Sequence, residues 1–219
     1  MGYLINLVLQ DKPAVVVGAG SVALRKVSGL LEAGAQVTVI APRSCEPIRA
    51  QAQAGKLVLL NREYRKGDLA GAALVIAATG DETVNRQVSQ DARSLGILVN
   101  VVDRPASCTF TLPAVVRRGD LSLAVATEGR CPALARALRE ELESRYTQQY
   151  AVLLDVMGEL RDRMMARGWD SPRIQAALSH LYQRDLLGVL ASGDREAAEA
   201  FLKEELGEEF PLPACPGES

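Results

Sequence analysis

Apolar positions along this chain follow two different spacings, and the alternation between them lays out its first half. Residues 14–17 (AVVV) and 73–78 (ALVIAA) are unbroken, largely branched apolar runs, the pattern of strands covered on both faces. Residues 36–40 (QVTVI), 57–60 (LVLL) and 97–102 (ILVNVV) read as three more strands. Between them the spacing is helical: Leu24, Val27, Leu30 and Leu31 end at Gly34, residues 47–54 form a short helix, and Val84 and Val88 share a face that ends at Gly96. Strands alternating with helices at this spacing predict a parallel, doubly wound sheet. Residues 3–9 (YLINLVL) are read as a strand or an extended lead-in, with Asp11-Lys12 turning into the next strand.

The pattern changes after Asp103. Residues 109–112, 114–116 and 121–126 read as short strands with no helix between them, which predicts an antiparallel segment. Helical spacing then returns from Pro132 (Leu134, Leu138, Leu142) and over 148–167 (Val152, Val156, Leu160, Met164). Two more helices start at Ser171-Pro172 (Ile174, Leu178, Leu181) and at Gly193-Asp194 (Ala197, Ala198, Phe201, Leu202). The predicted fold class is α/β: a Rossmann-type parallel doubly wound sheet, a small antiparallel α+β dimerisation segment, and a C-terminal helical domain. The expected boundaries are a parallel-sheet domain over 1–112, an antiparallel segment over 113–147, a helical domain over 148–210 and a frayed tail over 211–219.

The stretch from Pro13 to Arg25 (PAVVVGAGSVALR) carries the most specific local signal. Gly18 permits a tight turn after the first strand, Gly20 lets backbone approach a pyrophosphate, and Ala23 in the third place allows close helix–strand packing. Free N–H groups at the following helix start then face the phosphates. An acidic residue at the end of the second strand would bind a ribose 2′-hydroxyl. Here Ala41-Pro42-Arg43 stands there, so this position does not separate NAD from NADP. Thr79-Gly80-Asp81 follows the fourth strand at the edge where open α/β sheets place ligands, and Asp81 or Thr83 can cap the next helix.

Composition narrows the classes. With 219 residues, 48% hydrophobic and 24% charged, the chain can bury a core. A net charge of −2 gives no general attraction to nucleic acid, and 4% aromatics are too few for a base-stacking platform. No apolar run approaches the about 20 residues that span a bilayer, and the N-terminus lacks a signal-peptide pattern. Cys45, Cys108, Cys131 and Cys215 are scattered, which argues against a zinc site or disulfide framework and for a reducing cytoplasm. Cys131 occupies a capping position before Pro132, and the lone His180 reads as a partly buried packing residue.

Three features beyond the glycine turn bear on chemistry. Asp103 ends a buried strand, where it is either a proton acceptor or a turn residue ahead of Arg104-Pro105. Residues 103–139 hold six arginines, no lysine and three acids. That excess suits a polycarboxylate ligand, because the guanidinium fork grips carboxylates in pairs, or else forms a solvated surface. Thr127-Glu128-Gly129-Arg130 leads onto a helix start, as an anion cradle or simply a capped helix.

Taken together, VVVGAGSVALRK at 15–26, LLEAGAQVTVIAP at 30–42, LVIAATGDETVN at 74–85, VNVVDRPASCTFTLPAVVRRGDLSLAVATEG at 99–129 and CPALARALREELE at 131–143 resemble the precorrin-2 dehydrogenase family, also called the siroheme synthase N-terminal module. The resemblance covers most of residues 1–145. It implies NAD-dependent oxidation of precorrin-2, a reduced tetrapyrrole with eight carboxylates, to sirohydrochlorin. By the same resemblance Asp103 is the catalytic residue, as a base or as an aid to metal entry, and Gly18, Gly20, Ser21, Val22, Pro42, Arg43 and Thr79 contact NAD. Arg104, Thr127 and Arg130 are the candidate substrate contacts, and no resident metal site is expected. A cytoplasmic homodimer is implied, with neither membrane nor nucleic acid as partner. Some relatives also insert iron into sirohydrochlorin, and fused bacterial enzymes add a methyltransferase domain for which 219 residues leave no room. The alternatives are therefore a bifunctional dehydrogenase–ferrochelatase and, from another class, an NAD-sensing regulatory domain.

Overall fold

The alternating faces of five strands account for the first unit. The computed structural model describes residues 2–207 and 210–212, and the chain divides into two compact units, Met1–Leu112 and Pro113–Ser219. In the first unit, β1 (Pro13–Val17), β2 (Gln36–Ile40), β3 (Val58–Leu60), β4 (Leu74–Ala77) and β5 (Leu98–Val101) form one parallel sheet in the order β3-β2-β1-β4-β5. Side chains alternate across a strand, so the continuous apolar run of β1 divides between two cores. Ala14 and Val16 join Val37, Val39, Leu74 and Ile76 on one face, beneath α1 (Ser21–Glu32) and α2 (Glu46–Gln53). Val15 and Val17 join Val75, Ala77, Val99 and Val101 on the other, beneath Val88 and Ala92 of α3 (Glu82–Ser94). Helices on both faces of a parallel sheet are the doubly wound arrangement expected.

β1 sends its chain to β2 on one side, while β4 lies on the other. The strand order therefore reverses between β1 and β4, and a crevice opens at their carboxyl ends, where such sheets bind ligands. Residues 2–9 form no strand: Tyr3, Leu4, Ile5 and Val8 are exposed, and Leu9 enters the core.

The expected three-strand meander is a correction. Residues 109–112 pair with no strand and belong to the first unit. The two-stranded antiparallel hairpin is β6 (Ala114–Arg118) with β7 (Leu121–Val125). It packs on α4 (Pro132–Arg145), where Arg118 Nε donates to Tyr146 O at 2.7 Å and Nη2 to Glu143 O at 2.9 Å, closing the end of that helix.

The helical layer is α5 (Gln149–Ala166), α6 (Ser171–Gln183), α7 (Leu186–Ala191) and α8 (Arg195–Leu206), around Leu160, Met164, Leu181, Leu186 and Leu202. The short α7 was not expected, because Gly188 and a six-residue length hide its period. Asp185 starts it in the left-handed region (φ 65°) and accepts from Gly188 N–H at 3.1 Å. Of the expected tail, Leu212 is seated on this layer: its carbonyl accepts from Arg195 Nη2 at 2.7 Å and its N–H donates to Glu199 at 3.2 Å. Phe210, before it, is buried against the Trp169 ring edge with the Arg167 guanidinium 4.1 Å from its ring centre. Residues 213–219, with Cys215, lie outside the described residues.

His180 is half exposed rather than packed away. Its Nε2 lies 2.6 Å from Glu205 Oε2, and Arg184 Nε donates to Glu205 Oε1 at 2.9 Å. Arg184 first, then His180, hold the Glu205 carboxyl below its ordinary value of 4.5, against the opposing pull of burial. A depressed carboxyl contributes stability above its unfolded-state value and loses it as pH falls through the folded-state one. The melting temperature of the helical layer is therefore expected to fall faster below about pH 4.5 in the parent than in Glu205→Gln, as followed by circular dichroism. Parallel curves for the two proteins would deny Glu205 this part.

Candidate functional site

At the crevice between β1 and β4 the backbone comes first. Gly18 leaves β1 at φ 109°, a conformation open to glycine, and a Cβ built there would stand 2.4 Å from Ala78 O and 3.0 Å from Thr79 N. The segments after β1 and β4 thus abut at a point where no side chain fits. Gly18 N–H donates to Ile40 O and Ala78 N–H to Val17 O, at 2.9 and 2.8 Å, which holds the turn in the sheet. Gly20 is the N-cap of α1, in ordinary extended backbone, and a Cβ there would meet nothing within 4 Å.

The first turn of α1 has no side-chain cap and no acidic residue. The N–H groups of Ser21, Val22 and Ala23 precede the first helical bond, from Leu24 N–H to Gly20 O, so they are free in the way helix starts are. Open space above Gly20, uncapped N–H groups and no competing carboxylate fit a diphosphate. Pro42 and Arg43 follow β2 as expected, and Ala19 O accepts from Cys45 N–H at 3.0 Å, which draws the start of α2 to the same edge.

Thr79 is held by a residue the sequence reading missed. Asn85, buried on α3, accepts from Thr79 Oγ1 at 2.9 Å and from Thr79 N–H at 3.3 Å, and its Nδ2 donates to Thr79 O at 3.0 Å. Asp81, not Thr83, caps α3, accepting from the Thr83 and Val84 N–H groups at 2.8 and 3.3 Å. An asparagine on the face that α3 buries with Val88 and Ala92 is the signal that could have found it. Asn85→Leu is expected to cost about 2 kcal/mol of stability, measured by urea unfolding, because the Thr79 loop loses its partners within a buried setting. A variant as stable as the parent would show that solvent replaces them.

Asp103 follows β5 at the same carboxyl edge, one residue beyond Val102, whose N–H donates to Ala77 O at 3.0 Å. Arg104 N–H donates to Val101 O at 3.2 Å and closes a turn in which Asp103 takes the left-handed conformation, φ 57°. Val102 packs against the same core as Ala23 and Val27 of α1, the helix that carries Lys26. Burial pushes the Lys26 ammonium down, Arg25 adds to this, and the charge of Asp103 opposes it. A second titratable group, unnoticed in the sequence, therefore stands within the field of Asp103.

The arginine excess is largely spent on internal contacts. Arg104 pairs with Glu82 of α3, Arg136 with Glu140 and Arg139 with Glu143, while Arg118 caps α4. Thr127 and Arg130 lie in the second unit, where Thr127 Oγ1 donates to Cys131 O at 3.2 Å and Arg130 N–H to Thr127 O at 2.9 Å, with Glu128 (φ 52°) and Gly129 (φ 73°) between them in left-handed conformations. Cys131 is the exposed N-cap of α4 and gives no side-chain cap. Among the described residues no group of three or more His, Cys, Asp or Glu side chains is placed to hold a metal ion, and no helix is long and apolar enough to cross a membrane.

Comparison with known proteins places this edge in a family. A family model described as putative NAD(P)-binding matches residues 5–114, and one described as sirohaem biosynthesis protein central matches residues 118–145. The chain is 39% identical over 218 residues to siroheme synthase of Nitrosospira multiformis and 38% identical over 219 residues to siroheme synthase 1 of Pectobacterium atrosepticum. Those matches take in 97% and 98% of this chain but 46% of each relative, so the chain spans about half the length of the curated relatives it matches. Among solved structures it superposes on SirC, a precorrin-2 dehydrogenase, with a TM-score of 0.75 and 26% identity, over 94% of this chain and 100% of that one. The chain belongs to the NAD(P)-binding family of siroheme biosynthesis, that of the precorrin-2 dehydrogenases and siroheme synthase N-terminal modules.

Proposed function

We propose that this chain oxidises precorrin-2 to sirohydrochlorin with NAD as oxidant. One observation carries the reading most. The glycine turn, the uncapped start of α1 and Asp103 share the carboxyl edge of one sheet, in a chain that matches a precorrin-2 dehydrogenase over that protein's whole length. The N–H groups of Ser21 and Val22 bind the diphosphate, Gly20 leaves room for it, and Thr79 lines the crevice between β1 and β4. Pro42 and Arg43 border the adenosine side, beyond β2. NAD, when bound, accepts a hydride from the macrocycle. Asp103 accepts the proton that leaves with it, so the macrocycle loses one hydride and one proton. Arg104 meets a substrate carboxylate, giving up Glu82 to do so.

The working protein is a cytoplasmic homodimer in this reading. Leu134 and Leu138, one stripe along α4, are 50% and 38% exposed in the single chain, and a second copy covers them. Light scattering on the purified chain tests this, and a monomer at working concentration refutes it. For the reaction itself, precorrin-2 is added to protein and NAD and the absorbance of reduced nicotinamide is followed. Growth of that band in step with sirohydrochlorin is expected. NAD that binds without being reduced would mark the chain as a sensor instead.

A further inference from the structure

We propose that Cys108 is a positioning residue: its thiol fastens the turn that carries Asp103 and so fixes where that carboxylate stands. This rests on the role proposed for Asp103 above. The strand β5 lies at the edge of the sheet and has β4 on one side. Its outward N–H groups must find partners other than a strand. Val99 N–H donates to Thr109 Oγ1 at 2.8 Å, and Val101 N–H donates to Cys108 Sγ at 3.1 Å. Thr109 N–H returns to Val99 O at 2.8 Å, and Asn100 Nδ2 donates to Phe110 O at 3.0 Å. Residues 108–110 thus run along the edge and satisfy it mainly with side chains.

The sulfur does more than fill that slot. Cys108 Sγ lies 3.3 Å from Val101 O and 3.4 Å from Arg104 O, so its S–H can donate to the first or the last residue of the Asp103 turn. Asn100 Nδ2 approaches the same sulfur at 3.7 Å. One atom therefore touches both ends of the turn. The backbone behind it is anchored independently: Ser89 Oγ donates to Ser107 O at 2.7 Å, Arg93 Nη2 donates to Cys108 O at 3.1 Å, and Cys108 N–H bonds to Pro105 O at 3.1 Å. Ser89 and Arg93 both belong to α3, so the sulfur connects the turn to a helix packed on the sheet. Asp103 takes its left-handed conformation, φ 57°, from that turn, so where its carboxylate stands follows from how the turn is held. Sulfur contacts are individually weak, and their value here is in placement rather than stability.

The test compares Cys108→Val and Cys108→Ser with the parent, as full chains. Valine keeps the volume and removes donor and acceptor; serine keeps both, with a shorter reach. For Cys108→Val, kcat for precorrin-2 oxidation is expected to fall about tenfold or more, with the Kd for NAD and the KM for precorrin-2 within about twofold of the parent. Cys108→Ser is expected to recover most of that loss. An unchanged kcat in the valine variant overturns the proposal, as does a loss of NAD affinity alongside kcat, which would mark general disruption. A serine variant no better than valine also overturns it. If the valine variant does not fold, the serine variant decides, with kcat within about threefold of the parent expected and a larger loss counting against the proposal. A readout free of turnover is the carbon-13 shift of the Asp103 carboxyl together with exchange of the Val101 amide. Both should change in Cys108→Val and stay near the parent in Cys108→Ser. A parent that fails to oxidise precorrin-2 defeats the proposed function, and these two signals still judge Cys108.

Discussion

Gly20→Val is expected to abolish useful NAD binding while leaving the fold in place. A Cβ at Gly20 meets nothing within 4 Å, and its φ of −87° suits any residue, so the cost in stability is about 1 kcal/mol or less, from the poorer N-cap. The same branched side chain fills the space in front of the α1 N–H groups, where a diphosphate must come within hydrogen-bonding distance. NAD affinity should fall about 100-fold or more, equivalent to about 2.7 kcal/mol. Gly18→Ala should do the reverse. There the added carbon stands 2.4 Å from Ala78 O, in backbone at φ 109°, so the first unit is expected to lose about 3 kcal/mol or more. Calorimetric titration with NAD and thermal melts on both variants separate the two glycines. A Gly20→Val protein that binds NAD like the parent would put the diphosphate elsewhere.

Asp103→Asn should lower kcat about 100-fold with NAD affinity within about twofold of the parent. Asparagine is the informative replacement because it tolerates the left-handed backbone that Asp103 adopts, at φ 57°, and keeps the shape of the carboxyl while removing its basicity. A β-branched replacement would confound strain with chemistry. Turnover at the parent rate would show that solvent, or Lys26 in the field of Asp103, handles the proton.

How much of this was legible in the sequence follows from what each residue is needed for. The β1 turn could be read because a left-handed conformation against a neighbouring carbonyl admits glycine, and glycine is visible as a letter. The strands β1 and β4 could be read because a strand buried on both faces must be apolar throughout. The order of the second half was less clear. The alternation in 109–112 reads as a strand, but the chain uses Cys108 and Thr109 side chains to cover an edge there, and periodicity does not distinguish the two uses. The roles of Asn85, Cys108 and Lys26 could not be read because they come from what faces these residues across the fold. The arginine excess was visible as a count, but which arginines have a partner within the chain, as Arg104, Arg118, Arg136 and Arg139 do, depends on neighbours that a count does not show.

The unequal margins of the five-stranded sheet carry a consequence for how this protein behaves when crowded. On the β5 margin the outward amides of Val99 and Val101 are occupied by a hydroxyl and a thiol, so a foreign chain arriving there finds no docking template. The opposite margin, β3, is three residues long with Val58 56% exposed, and it pairs through β2 alone. Self-association by strand addition, in heated or partly unfolded preparations, would therefore start at β3. Its brevity is the protection that margin has.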